Sequence, residues 1–378
     1  MQKNALSHSL AWLDMIRLIS ILLVIYGHFA SVGGFAPEIP GIISPEVTLP
    51  LMNGPQIAFL NFDIFLINTF STQSAIIGVA LFFMVTGYLM PAMMDRYSRK
   101  NFLINRFFRI FPLLIASTLI VGAYLWLTQG IKYGFPSYLA SWTLTYSVLA
   151  LPPVMGVLWT LVVEVAFYLI AALTGRFTAS KLILLQAVLL ACVIVSANYS
   201  GYYTGLLGKN SLFILFITIG VGFFLAKKED TAIKRLSLIF NTTVISYLGF
   251  QFYKQSIGSS GTYENIGTHL LAVGIFSLFM LLGKSGALSR TPKFVSWLAD
   301  LVYPMYLFHT ALGLATMALV RSYSNNYILM LTAALAVTTL TAWITHIAIE
   351  KPMIVFGRRF TSSKARGETK EAVTALAS

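Results

Sequence analysis

Charged side chains make up only 10% of this sequence, where a soluble domain carries about a quarter, and that shortage excludes an ordinary water-soluble fold. Cysteine is scarcer still. The one thiol, Cys192, lies in an apolar run, so there is neither a disulfide framework nor a thiol set for zinc or an iron–sulfur centre, and no metal is expected. Walker loops, strand-borne Gly-x-Gly-x-x-Gly and fixed-period repeats are missing as well, which removes ATP hydrolysis, a Rossmann cofactor site and solenoid architectures. Acidic residues number half the basic ones, 13 against 26. In a soluble chain the resulting +13 would point to nucleic acid; here it must first be tested as the cytoplasmic charge bias of a membrane protein.

What the sequence has in abundance is apolar runs. A hydrocarbon core of about 30 Å needs about 20 helical residues, and such stretches recur at Trp12–Val32, Ala75–Met93, Ile110–Leu127, Val154–Leu173, Leu182–Ala197, Ser211–Ala226, Leu238–Tyr253, Gly267–Leu282, Val295–Leu319 and Tyr327–Ile349. The seventh carries Asn241, Thr242, Thr243, Ser246 and Gln251, too polar for a lipid-facing helix, and is expected to line the interior. With the amino terminus inside, Lys132, Lys209, Lys254 and Arg321 alone fall on outer segments; Arg17 sits within the first span and every other Lys and Arg falls on an inner one. The chain therefore reads as an all-α integral membrane protein of about ten transmembrane helices with both termini cytoplasmic. Residues 1–360 form a single transmembrane domain and 361–378 a disordered cytoplasmic tail. The basic charge needs no nucleic acid. The first span, with Arg17 and His28 inside it, is read as a retained helix rather than a signal peptide. The long outer loop Gly33–Ser74 is rich in proline and acidic side chains, its Phe59–Phe70 stretch suits an interface, and Tyr138–Leu151 reads as a re-entrant piece.

Ionisable residues within spans are costly and each calls for a role. Arg17 and His28 are eleven residues apart, close to three full turns and about 16 Å along the axis, so they share a face at two depths. Arg17 either anchors at the inner leaflet beside Asp14 or serves a site; His28 either bonds a neighbouring helix or acts as a general base. Glu164, near mid-depth, is either tied to an arginine or tyrosine of another helix, or orients His28, or contacts a ligand. His309, at about the depth of His28, follows Pro304, which is expected to kink the ninth span. It is either a ligand contact or a satisfied core histidine. Arg106 and Arg109 are ordinary inner charges or a fork for a polyphosphate group. His346 and Glu350, at i and i+4, read as a helix-end pair, and Asp300 as a partner for a basic residue.

From Leu13 to about Pro352 these features resemble the acyltransferase-3 family of polytopic bacterial membrane acyltransferases. Leu13-Asp14-Met15-Ile16-Arg17 with His28 matches the family's arginine, ten residues, histidine signature; Gly78–Tyr88 looks like its Phe-Phe-x-x-Ser-Gly-Phe segment with Thr86 for serine and Tyr88 for phenylalanine. Arg106 and Arg109–Pro112 match its basic segment. Trp159–Glu164 with Phe167-Tyr168 resembles Leu-Trp-Ser-Leu-x-x-Glu-x-x-Phe-Tyr with Thr160 for serine, and Tyr306-Leu307-x-His309 and Glu350-Lys351-Pro352 match the late motifs. Each piece alone is common; six in order are specific.

The resemblance implies an acyl-CoA-dependent O-acyltransferase of the bacterial inner membrane. It would move an acyl group, acetyl first among candidates, from cytoplasmic acyl-CoA to a hydroxyl of an extracytoplasmic or lipid-linked sugar or polysaccharide. His28, Glu164 and Arg17 are then expected to be catalytic, Arg106, Arg109 and Arg17 to hold the donor, and Thr86, Trp159, Thr160, Tyr168, Tyr306 and His309 to line the cavity. A conduit through the bundle is expected to join the inner arginines to His28. The competing reading is a proton-coupled secondary transporter, since buried His, Glu and Arg also describe such carriers.

Overall fold

The computed structural model describes residues 11–32, 61–199, 201–257, 266–288 and 292–361. The predicted outer loop before Asn61 and the tail beyond Thr361 lie outside those residues. Among the described residues there are helices and turns and no strand. In chain order the helices are α1 (Ala11–Tyr26), α2 (Asn61–Phe70), α3 (Ser74–Arg96), α4 (Arg99–Gln129), α5 (Phe135–Trp142), α6 (Leu158–Thr174), α7 (Ala179–Asn198) and α8 (Tyr202–Ala226). They continue with α9 (Ala232–Ile257), α10 (Ile266–Lys284), α11 (Lys293–Asp300), α12 (Val302–Phe308), α13 (Ala315–Arg321), α14 (Tyr327–Thr345) and α15 (Lys351–Thr361). Eight helical stretches among them are long and apolar enough to cross a membrane: α1 through Phe29, α3, α4, α7, α8, α10, the α12–α13 unit and the α14–α15 unit. The chain is a multi-pass membrane protein. The two remaining predicted spans are helices too, but α6 has 17 residues and α9 is too polar to meet the same criterion.

Burial grades the spans from core to periphery, with α1 at 56% buried and α4 at 44% between the extremes. In the most apolar stretches of α3, α8 and α12–α13, 78%, 83% and 83% of residues are buried, against 28% in α7, α10 and α14–α15, which leaves the latter to face lipid. The core closes tightly because small residues meet at its crossings. A Cβ on Gly87 would stand 1.9 Å from the Ile217 carbonyl oxygen and one on Gly220 2.0 Å from that of Met84, so α3 and α8 touch backbone to backbone. The polar seventh span, α9, meets its expectation in part: Thr242 and Ser246 are buried, Thr243 and Gln251 half-buried, and Asn241 is exposed. Gln186 of α7 donates to Thr218 Oγ1 at 2.9 Å and to the Thr242 carbonyl at 3.4 Å, and Ser246 meets His269 at 3.2 Å. Water-free surroundings make such pairing obligatory.

Two connections shape the site. The predicted ninth span is broken rather than merely kinked: α11 ends at Asp300, and α12 restarts with Pro304 as its third residue. A proline there has no N–H to return to the Asp300 carbonyl, so the break falls where the lost bond costs nothing. The predicted re-entrant piece is the short α5 followed by turns, with Leu144 and Ala150 at positive φ (57° and 51°) and the Val154 N–H bound to Ser141 Oγ at 3.1 Å. Asp63 of α2 is fully buried and accepts the Ser74 N–H at 2.8 Å, satisfying a free donor at the start of α3.

Candidate active site

At the end of the bundle where α1 and α4 begin, a chamber of about 230 Å³ opens between α1, α3, α4, α6 and α12. Arg17, Arg106 and Arg109 line it, opposed by only two carboxylates, Asp14 and Glu164. Arg17 reaches Asp14 at 3.7 Å. Neither Arg106 nor Arg109 has an ion pair among the described residues. The Arg106 guanidinium lies 5.6 Å from the centroid of the Tyr168 ring, donates from Nη2 to Asn105 at 2.9 Å, and leaves its buried Nε–H with no hydrogen-bond partner among the described residues. An unmet charged donor in a dry wall is expensive. The chamber is thus poised for an anion.

Glu164 is positioned for this chamber and not for His28. Its Oε1 accepts from Thr86 at 3.2 Å and, in a very short bond, from Tyr168 one turn along α6. Glu164 fixes the phenol, and the phenol's ring carries Arg106. Of the roles read for Glu164, the contacts provide neither orientation of the imidazole nor a tie to an arginine or tyrosine of another helix: its tyrosine, Tyr168, is on its own helix, and its cross-helix partner is Thr86.

The partner of His28 is His309. Each histidine lies in a short stretch of wide i→i+5 helix, Gly27–Val32 and His309–Leu314, the kind of local irregularity that re-aims side chains at functional sites. His309 is wholly buried, with its Nδ1 2.8 Å from the Tyr306 carbonyl and its Nε2 3.1 Å from His28 Nδ1; that same His28 nitrogen lies 2.9 Å from the Val24 carbonyl. A carbonyl can only accept, so both Nδ1 atoms carry the proton. The His28 N–H is then shared between the Val24 carbonyl and the bare His309 Nε2. His28 Nε2 is left with a free lone pair and with no hydrogen bond among the described residues. That is the tautomer a general base requires.

Between the chamber and the histidines lies a waist. A void of about 10 Å³, room for one water at most, is lined by Ser20, Val24, Phe82, Phe83, Thr160 and Tyr306 among others. Phe82, shared with the chamber, stacks on Tyr306 with centroids 6.0 Å apart and planes at 20°. Thr160 meets the Tyr306 hydroxyl at 2.7 Å, while the Tyr306 carbonyl holds His309. The conduit expected from the sequence is therefore constricted here. Trp159 faces elsewhere, packing on Phe213 (4.6 Å) and Phe83 (6.3 Å) and lining a separate cavity at the opposite end.

With this geometry in view, the comparison with known families decides the identity: a family model described as an acyltransferase domain matches residues 10–347. The chain belongs to the acyltransferase-3 family. Neither a curated protein nor a solved structure matches it. In this membrane acyltransferase the motif segments converge, with Arg17, Thr86, Arg106, Arg109, Glu164 and Tyr168 at the chamber and Thr160 and Tyr306 at the waist. The late Glu350 instead bonds His346 at 2.7 Å, the helix-end pair that its spacing predicts. Among the described residues no group of three or more His, Cys, Asp or Glu side chains could hold a metal ion. Sequence reading passed over Phe82, although it lies inside a quoted motif, and Tyr303, whose hydroxyl donates to the Ile110 carbonyl at 2.9 Å beside the chamber. Only their neighbours across the bundle reveal them.

Proposed function

We propose that this acyltransferase moves an acyl group, acetyl by preference, from cytoplasmic acyl-CoA to a hydroxyl of a sugar or polysaccharide on the far side of a bacterial inner membrane, the acceptor being free or lipid-linked. The observation that carries the reading is an arginine chamber and an imidazole with a free lone pair set along the same helices, with a small void lined by four of those helices between them. Pockets for drug-sized ligands run about 300–1,000 Å³. A chamber of about 230 Å³ suits a slender thioester arm and leaves the nucleotide outside. Arg106 and Arg109, with Arg17 behind them, hold the phosphates at the cytoplasmic mouth, Arg106 being kept in place by Tyr168 and Glu164. The arm passes the waist when Phe82 swings off Tyr306.

At the histidine pair the acceptor hydroxyl gives its proton to His28 Nε2 as its oxygen attacks the thioester carbonyl carbon. The tetrahedral oxyanion collapses, the carbon–sulfur bond breaks, and the leaving thiolate takes the proton back from the imidazolium. His309 acts through His28: by accepting the shared Nδ1–H it holds the ring and spreads its charge after protonation. Membrane lipid surrounds the peripheral helices. No step calls for nucleic acid or metal.

The test is acceptor-dependent release of free CoA from acetyl-CoA by the purified protein. His28→Ala is expected to abolish release while the protein still accumulates in the membrane; full activity in that variant would falsify the base assignment. Movement of an intact solute with no CoA release would instead favour a carrier. Mass spectrometry of surface glycans from cells with and without the protein identifies the acylated acceptor.

A further inference from the structure

At the end of the bundle remote from the arginines, an open cavity of about 450 Å³ is bounded by α6, α8, α9 and the turns before α6, with Tyr202 and Lys209 exposed at its rim. Its wall is aromatic, with the rings of Tyr146, Trp159, Tyr202 and Tyr253, together with the Asn210 amide and a single cation, Lys209. No carboxylate is among the lining residues, and Lys209 has no ion pair among the described residues. It is the one charged residue of α8, and its ammonium stands 5.7 Å from the centroid of the Trp159 ring. Lys209 lies at the exposed outer end of α8, where the Trp159 ring is its contact among the described residues and its charge stays available to an anionic group arriving from that side. Flat rings match the apolar C–H faces of a sugar, an amide and phenols match its hydroxyls, and the volume falls within the range of ligand sites.

The cavity also adjoins the chemistry. The Trp159 ring packs on Phe83, which lines the waist, and the next residue, Thr160, bonds the Tyr306 hydroxyl. We propose that this cavity is the acceptor site and that Lys209 selects an acceptor whose sugar carries an acidic group, a carboxylate or a phosphate. The inference rests on the acyl-transfer reading for the word acceptor. Its binding chemistry stands on the cavity alone.

Binding by calorimetry to the full-length protein in phosphatidylcholine nanodiscs tests it, with an oligosaccharide of glucuronic acid, a glucose oligosaccharide of equal length and a glucose phosphate as probes. At least one acidic probe is expected to bind more tightly than the neutral one. Lys209→Gln is expected to weaken it by about tenfold or more, as removal of a charged hydrogen bond does, leaving the neutral probe unchanged, and Lys209→Arg is expected to retain it. Which acidic probe responds names the acid. Equal affinity for acidic and neutral probes, or an acidic affinity indifferent to Lys209→Gln, overturns the proposal. So does competition from phosphatidylglycerol added to the nanodiscs, which would assign the cavity to a lipid headgroup. His28→Ala is expected to bind the probes as the wild type does. If CoA is never released with any acceptor while Lys209-dependent binding persists, acyl transfer alone fails; if CoA is released but binding ignores Lys209, this inference alone fails.

Discussion

The chamber where α1 and α4 begin gathers three guanidinium groups around about 230 Å³, whereas the cavity at the other end sets four aromatic rings and one ammonium around about 450 Å³. The first sets its cations among apolar walls such as Phe82, Leu89 and Met93, and the second is the cavity proposed to take a sugar ring. A two-substrate enzyme needs such an asymmetry when its donor is a highly charged molecule of the cell interior and its acceptor is not. The stacked pair Phe82–Tyr306 and the histidines keep the two apart. Damage at one end is then expected to alter the handling of one substrate, and damage in the middle the handling of both.

The middle gives the largest effect. A positioned general base contributes about 10²–10⁴-fold, so His28→Ala is expected to lower kcat by about 10³-fold with either substrate varied, as read by CoA release at saturating donor and acceptor. A loss confined to KM would instead make His28 a binding residue. Arg106→Ala comes next. Removing a charge-assisted contact costs about 1.5–3 kcal/mol, so KM for acetyl-CoA is expected to rise by roughly 10–100-fold while KM for the acceptor stays put. If the acceptor's KM moves instead, the two ends have been assigned the wrong way round.

The long apolar runs and the clustering of arginine on alternate loops made the membrane fold legible in the sequence, because lipid imposes those patterns on every helix separately. The chamber was legible for a related reason: Arg106 and Arg109 are three residues apart on one helix, and Glu164 and Tyr168 are four apart on another, spacings that bring side chains to one face. The tie between Glu164 and Tyr168 follows from the same i, i+4 spacing. What periodicity could not supply was the His28–His309 contact. It depends on two wide helical turns and on the break ahead of Pro304, each of which shifts a side chain off the regular 100° step. The Lys209 cavity was less legible still, since Tyr146, Trp159, Tyr202 and Tyr253 belong to four separate segments and no local pattern links them.

The histidine contact offers a finer cut. His309→Phe removes the acceptor of the shared proton but not the Val24 carbonyl, which keeps part of the orientation. The loss is about one net hydrogen bond, on the order of 1 kcal/mol or roughly fivefold to tenfold in kcat, with both KM values unchanged. His309→Asn, whose amide oxygen can accept the same proton, is expected to recover part of the rate. A role confined to packing predicts the reverse order, since phenylalanine fills the buried site better than asparagine.

The smallest effect belongs to the waist. Phe82 is half-buried and stacks on Tyr306, so truncation to alanine would open a void at the centre of the bundle and confuse selectivity with instability. Phe82→Leu keeps the apolar volume largely filled and removes the flat face. If the stacked ring limits what passes, leucine is expected to leave acetyl transfer nearly unchanged and to raise the use of longer acyl donors relative to acetyl. The rise is put at about threefold, because an added methylene that fits is worth about 1–3 kcal/mol and a loosened constriction recovers only part of it. Competition between acetyl-CoA and butyryl-CoA, read by mass spectrometry of the product, measures that ratio directly and cancels any loss of active protein. An unchanged ratio would mean that the chain length of the donor is sensed beyond the waist, at the histidine pair itself.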